Sequence, residues 1–312
     1  MRWIDISHHQ GAVDFSAVSA SGITGVIVKA TEGRDHVDTR WVENWAALCE
    51  RPELERGAFH MARFDTDASD PLDAAAEATH FASTLAAAGY DGAIVPWVDV
   101  ERYGLTTHDG YNVRWLMQFI ATFERLAGRT PGIYTGRVTW ADRLANTPCF
   151  AHVPLWVAAL NVEPGKARPF ATWPRVTLHQ HSFTGSVPGI NARVDLDELV
   201  GGERIVAELR RAGVLTPDML ERPMLDLRYI PGSVSRIDVA MLQGALLGHG
   251  LGPTGLVGGD GLPDGKAGPK TRAALVELRV RHGLEAIPVC DGATWSVLAQ
   301  VRRTAFGDPL VG

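Results

Sequence analysis

Residues Gly92 to Glu101 read Gly-Ala-Ile-Val-Pro-Trp-Val-Asp-Val-Glu, an apolar run of strand length that ends in two carboxylates two positions apart. Side chains of a strand alternate between faces, so Asp99 and Glu101 point the same way, with Cα atoms roughly 6 to 7 Å apart. Charges at the end of a buried strand are costly unless they are used. The stretch therefore predicts a strand whose tip carries a pair of acids sharing one site.

Working outward, seven more β-rich apolar runs occur between Trp3 and about Ala212: RWIDI, TGVIVKAT, RGAFHMA, PGIYT, VPLWVA, RVTLHQHS and INARVDL. Longer segments with apolar residues at helical spacing separate several of them, including DAAAEATHFASTLAAAG and NVRWLMQFIATFERLAG, the latter ending at Gly128 as a C-cap. Eight strands alternating with helices or long loops predict an α/β chain folded as an irregular parallel (β/α) barrel. Active sites of such barrels lie at the C-terminal ends of the strands. Three of the runs end in acids: Asp5 on the first, Asp99 and Glu101 on the fourth, Asp195 on the last. First and last strands are neighbours in a closed barrel, so Asp5 and Asp195 are expected side by side, facing Asp99 and Glu101. Crowded carboxylates raise one another's pKa, so that one stays protonated while another is ionised, the division of labour that glycoside hydrolysis requires. Spacing alone equally allows these acids to cap helices or bond loop amides.

Composition bounds the partners. The 312 residues carry a formal charge of −6 and are 46% hydrophobic, with no basic stripe, which argues against nucleic acid. The opening MRWIDISHHQG has neither a charged lead nor an apolar core, and no run reaches about 18 apolar residues, so neither a signal peptide nor membrane insertion is expected. Cys49, Cys149 and Cys290 are odd in number and far apart, which predicts no disulfide framework. A monomer made in a reducing cytosol is expected.

From about Gly213 a stretch with three prolines and no periodicity, VLTPDMLERPMLDLRYIPGSVS, reads as a linker over 213–235. The segment from Arg236 to Arg303 then carries eight basic and six acidic residues, against a net −8 for the remainder, and reads as a small all-α domain over 236–312.

In order along the chain, IDISHHQG, VIVKATEG, GAFHMAR, the D-x-E of VDVE, LWVA and VDLDEL together resemble glycoside hydrolase family 25, over about residues 2 to 205. The resemblance implies a muramidase acting on the β-1,4 bond between N-acetylmuramic acid and N-acetylglucosamine of bacterial peptidoglycan, with no cofactor and no metal. It implies Glu101 as general acid/base and Asp99 as the residue that positions or stabilises the reacting sugar through its 2-acetamido group, with Asp5 and Asp195 lining the pocket. A substrate-assisted route is favoured over a direct nucleophile. Phe59, Arg63, Tyr134, Trp156 and Gln180 are the candidate substrate contacts, Tyr134 and Trp156 as stacking platforms. Where the family commonly has S-H-W-Q-G, Tyr-His-Phe and aromatic-Gln-Tyr, this chain has His9, Phe59-His60-Met61 and LHQHS; these changes alter the aromatic lining and spare all four acids. The C-terminal segment resembles peptidoglycan-binding domains through Leu242-Gln243, Asp264-Gly265 with Gly268 and Thr271, and Asp291-Gly292 with Thr294-Trp295. Barrel and wall-binding module together imply a phage endolysin held in the host cytoplasm until lysis. A catalytically inactive wall-binding protein, and a metal-dependent hydrolase using His8, His9, His179 and His181 with Asp5, are the alternatives.

Overall fold

A computed structural model describes residues 1–64, 73–90, 93–211, 224–232, 237–252, 254–259 and 263–299. Eight strands form its centre: β1 (Arg2–Ile6), β2 (Gly25–Glu32), β3 (Glu55–Met61), β4 (Trp97–Asp99), β5 (Gly132–Gly136), β6 (Leu155–Ala158), β7 (Leu178–Gly185) and β8 (Val194–Leu199). They pair in chain order, and β1 pairs with both β2 and β8, so the sheet closes into a barrel. A two-residue strand, His36–Val37, hangs on β2. Helices α1 (Phe15–Ala20), α2 (Trp41–Cys49), α3 (Asp73–Ala87), α4 (Asp109–Ala127), α5 (Arg137–Arg143) and α6 (Glu203–Arg211) fill the connections and the end of this part of the chain.

All eight predicted runs are strands, but one direction differs from the expectation. β1 to β7 run parallel, whereas β8 is antiparallel to both of its neighbours. The connection from β7 to β8 is a hairpin excursion over residues 186–193, and a connection that short returns a strand antiparallel, since a parallel return needs a crossover of a dozen or more residues. Asp195 therefore lies at the start of its strand, and the reversal brings that start to the same mouth as the C-terminal ends of the others.

Alternation along the strands sorts the core into two shells. Outward residues such as Ile4, Val26, Val28, Ala58, Val98, Ile133, Leu155 and Val157 are buried under the helices. Inward residues Trp3, Ile27, Phe59, Trp97, Tyr134, Trp156, Leu178 and Leu199 fill the barrel itself. Two glycines make room for two of the tryptophans: a Cβ on Gly25 would sit 2.3 Å from the Trp3 indole, and one on Gly132 would sit 2.4 Å from that of Trp97. One step nearer the mouth the inward positions turn polar: Asp5 above Trp3, Lys29 above Ile27, Asp99 above Trp97 and Gln180 above Leu178. The packed aromatic layer is thus the floor of a polar cleft.

A separate core, with Leu227, Leu242, Leu246, Leu275, Leu278 and Trp295, joins α7 (Ile237–Gly248), α8 (Pro269–Arg281) and α9 (Gly292–Ala299). Leu225, Leu227 and Ile230, within the stretch read as linker, pack into this core, and Leu225–Asp226 pairs with Val289–Cys290, so the helical unit carries a small ladder as well. Residues 212–223, 233–236 and 300–312 lie outside the described residues. The glutamine of the C-terminal motif is a hub: Gln243 Nε2 donates to Asp264 Oδ1 at 2.8 Å and to Thr271 Oγ1 at 3.0 Å, while Gly265 N donates to its Oε1 at 2.8 Å. Asp291 accepts from Thr294 N at 2.9 Å at the start of α9. These motif residues hold the turns of the unit together.

Candidate active site

At the barrel mouth lies a cleft of about 330 Å³ lined by Asp5, His9, Lys29, Phe59, Met61, Asp99, Glu101, Tyr134, Trp156, Gln180, Phe183, Arg193 and Asp195 among others. All four acids singled out in the sequence reach it. Asp99 is the last residue of β4 and 7% exposed; Glu101, two positions on, is half-buried and projects further toward solvent. On the other wall Asp5 of β1 stands opposite Asp195 of β8 in the antiparallel register, as neighbours.

Electrostatics separate these groups from ordinary surface acids. Burial, then the charge of Glu101, pushes Asp99 well above the usual carboxylate range, and burial also raises Glu101. The pair therefore keeps a proton at a pH where an exposed pair has lost both. Burial raises Asp195 to about 6. Asp5 is raised well above its ordinary value by burial and by the charges of Asp197 and Asp195, with whose carboxyls it is hydrogen-bonded.

Several contributors were not singled out in the sequence. Lys29, 6% exposed, donates to Glu32 at 2.5 Å and its charge pulls Asp99 and Glu101 downward, opposing burial. Burial would raise Glu32, but its hydrogen bonds to Lys29 and Arg63 outweigh this and hold it below the usual range. Asp197, 1% exposed and raised to about 7 by burial, accepts from Trp156 Nε1 at 2.8 Å. Both signals were present in the sequence: a lysine interrupts an apolar strand in VIVKAT, and VDLDEL repeats the i, i+2 acid spacing of VDVE.

Among the candidate substrate contacts, Phe59, Tyr134, Trp156 and Gln180 line the cleft. Trp156 is 2% exposed, its ring packed edge-on against Tyr134 at 4.7 Å, which makes it cleft floor and anchor of Asp197 rather than an open platform. Arg63 lies outside this cleft: it is ion-paired with Glu32 and stacked on Tyr103 at 4.3 Å, and with Tyr103 it borders an adjoining hollow. The exposed aromatic ring in the cleft is Phe183, 57% exposed.

His8 and His179 are otherwise engaged. His8 Nδ1 meets Asp38 at 2.7 Å, and both ring nitrogens of His179 are bonded, to Gly165 N at 3.1 Å and Ala159 O at 2.8 Å. No group of three or more His, Cys, Asp or Glu among the described residues is arranged to hold a metal ion. His60 is fully buried and bonded to Thr31 and Glu77, both at 2.8 Å. Burial holds its imidazole neutral and raises Glu77 to about 9.

A β/α barrel carrying paired, pKa-shifted carboxylates in a polar cleft has the groups that hydrolysis by proton transfer at a carboxylate site uses. Comparison with known proteins makes the assignment narrower. The sequence model for glycosyl hydrolases family 25 matches residues 4–190, and the chain belongs to that family of glycoside hydrolases. Lysozyme M1 of Streptomyces globisporus is 31% identical over 208 residues, 64% of this chain and 67% of that protein; the autolytic lysozyme of Clostridium acetobutylicum is 32% identical over 211 residues, 66% and 59% respectively. The chain thus spans 59 to 67% of the length of these relatives. The bacterial lysozyme of Streptomyces coelicolor superposes with a TM-score of 0.58 at 27% identity, over 68% of this chain and 97% of that one. The family model's match ends before β8, which carries Asp195 and Asp197.

Proposed function

We propose that the chain is an N-acetylmuramidase that hydrolyses the β-1,4 bond between N-acetylmuramic acid and N-acetylglucosamine in bacterial peptidoglycan. Family membership and the lysozymes among its relatives support this substrate. The observation that carries the mechanism is the unequal pair on β4: a buried Asp99 next to a more exposed Glu101, both raised by burial. Glu101 delivers its proton to the glycosidic oxygen as the C1–O bond breaks. The carbonyl oxygen of the 2-acetamido group closes onto C1, and the Asp99 carboxylate accepts the acetamido N–H and balances the charge of the oxazolinium ring. The Glu101 carboxylate then takes a proton from water as its oxygen adds to C1 and reopens the ring. Atoms and charge balance with Glu101 again protonated. Asp5 and Asp195, on the far wall, order the sugar through its hydroxyls.

Borohydride reduction of the soluble products from purified peptidoglycan, followed by mass spectrometry, tests the bond cut. Reduced muramic acid is expected. Reduced glucosamine, or freed peptides with intact glycan, overturns the proposal.

The finer biological reading is an endolysin, stored in the host cytoplasm as a monomer and admitted to the wall at lysis, with the C-terminal unit adding a second wall contact. The C-terminal motif supports this pairing, because a second contact raises the local concentration of the catalytic unit on an insoluble polymer. Sedimentation of the full-length Glu101→Gln variant with purified walls is the check: a protein that stays in the supernatant with walls present removes the binding role.

A further inference from the structure

One chain of hydrogen bonds crosses the barrel mouth, and its shortest contacts give it a direction. Gln180 Nε2 lies 2.9 Å from Asp5 Oδ2 and 3.3 Å from Asp195 Oδ2. The NH2 group is the part of the amide that faces the two carboxyl groups, and Oε1 faces the other way. That oxygen lies 2.7 Å from the Tyr134 hydroxyl, and having no proton it only accepts, so Tyr134 donates to it. A phenol has one proton. Toward Glu101 Oε1, 3.3 Å away, Tyr134 then presents lone pairs. A carboxylate there would meet lone pair with lone pair, whereas a carboxylic acid completes the bond by donating.

We propose that Gln180 is a positioning residue: by fixing which way the Tyr134 hydroxyl points, it places the proton shared by Asp99 and Glu101 on Glu101. The amide acts at a distance, through Tyr134, and links the acids of the far wall to the proton donor. Titration of the pair by itself does not say which member bears the proton; the direction of this chain does. The charged and titratable groups facing Glu101 are Asp99 on β4, Lys29 on β2, Arg63 after β3, Tyr134 on β5 and Asp195 on β8. Burial favours the carboxylic acid, while Arg63 and Lys29 favour the carboxylate. None of them changes the direction of the Tyr134 hydroxyl. The inference deepens the reading of Glu101 as proton donor, yet its test needs no substrate.

The test is a ¹³C NMR titration of the Glu101 side-chain carboxyl in full-length protein labelled at glutamate, with the signal assigned by Glu101→Gln. Tyr134→Phe keeps the ring on Trp156 and removes the acceptor for the Glu101 proton, so the Glu101 midpoint falls, by about 0.5 to 1 pH unit for one hydrogen bond. Gln180→Met frees the phenolic proton to turn to Glu101, and the midpoint falls again; in the double variant Gln180→Met adds nothing to Tyr134→Phe. A rise in Tyr134→Phe shows that Tyr134 donates to a Glu101 carboxylate and overturns the proposal. An unmoved midpoint in Gln180→Met, or additive shifts in the double variant, overturns it too. Should Tyr134→Phe fail to fold, Gln180→Met decides alone by falling or not. A Glu101 that titrates as expected in a protein releasing no reduced muramic acid would sink the muramidase reading and leave this relay standing.

Discussion

Asp197→Asn is expected to stabilise the protein, and only above a defined pH. The Asp197 carboxyl is 1% exposed, with Trp156 donating to Oδ1 and the Asp5 carboxyl as its other hydrogen-bonding neighbour. Burial and the Asp195 charge raise it from 3.8 to about 7. A carboxyl whose pKa is higher folded than unfolded weakens the fold as pH climbs from the unfolded to the folded value. Wild-type protein therefore loses stability between about pH 4 and 7 that a non-titrating asparagine keeps. At about 1.4 kcal/mol per pH unit the full rise amounts to about 4 kcal/mol, and because Asp5 and Asp195 titrate with Asp197 about half of that belongs to this residue alone. Asparagine keeps the acceptor for Trp156 and offers Asp5 an N–H, so no group is orphaned. For a barrel of this size a gain of about 2 kcal/mol raises Tm by about 4 to 8 °C. Melting followed by circular dichroism at pH 4 and pH 7.5 is the assay. The reasoning fails if Asp197→Asn melts no higher than wild type at pH 7.5, or if the gain at pH 4 is as large.

Four further outcomes follow from the same geometry. Glu101→Gln should lower the rate of release of reducing ends by about 10²- to 10⁴-fold, the usual worth of a general acid/base, with melting unchanged or higher at neutral pH. Lys29→Met removes the cation that pulls Asp99 and Glu101 down, so the acid limb of the pH–activity profile should move to higher pH; a limb that moves to lower pH, or stays, contradicts that placement. Trp156→Phe takes the indole donor from Asp197 and should cost about 1 to 3 kcal/mol in denaturant unfolding at neutral pH. Proton NMR of a digest of soluble peptidoglycan glycan strands at early times should show the β-anomer at the new reducing end; an initial α-anomer would exclude participation by the acetamido group.

Much of the barrel could be read from the chain because the informative pattern is local. Strand residues alternate, so an acid two positions from another acid, or two positions beyond a tryptophan, is assigned to a face with no knowledge of its neighbours. The i, i+2 spacing marks Asp99 and Glu101, and a place at the end of an apolar run marks Asp5 and Asp195. Lys29 and Asp197 carry the same signature and were passed over, since neither ends its apolar run. Arg63 and Trp156 were named as sugar contacts from their place in the family motifs, but an ion pair with Glu32 holds the one and the barrel interior encloses the other. For the histidines at 179 and 181, spacing put them on one face and left open whether their nitrogens were free; the backbone groups of Ala159 and Gly165, distant in sequence, already occupy those of His179.

By itself the sequence determined the eight strands and the acids at their ends, because burial and period-two alternation act within a few residues. Tertiary structure decided that β8 runs backwards, so that Asp195 and Asp197 enter the mouth from the start of their strand. It also decided the protonation of the cleft and the direction of the bonds from Asp5 through Gln180 and Tyr134 to Glu101. Those depend on desolvation and on single protons shared across the barrel between residues as far apart in the chain as Asp5 and Gln180, and no local pattern records them.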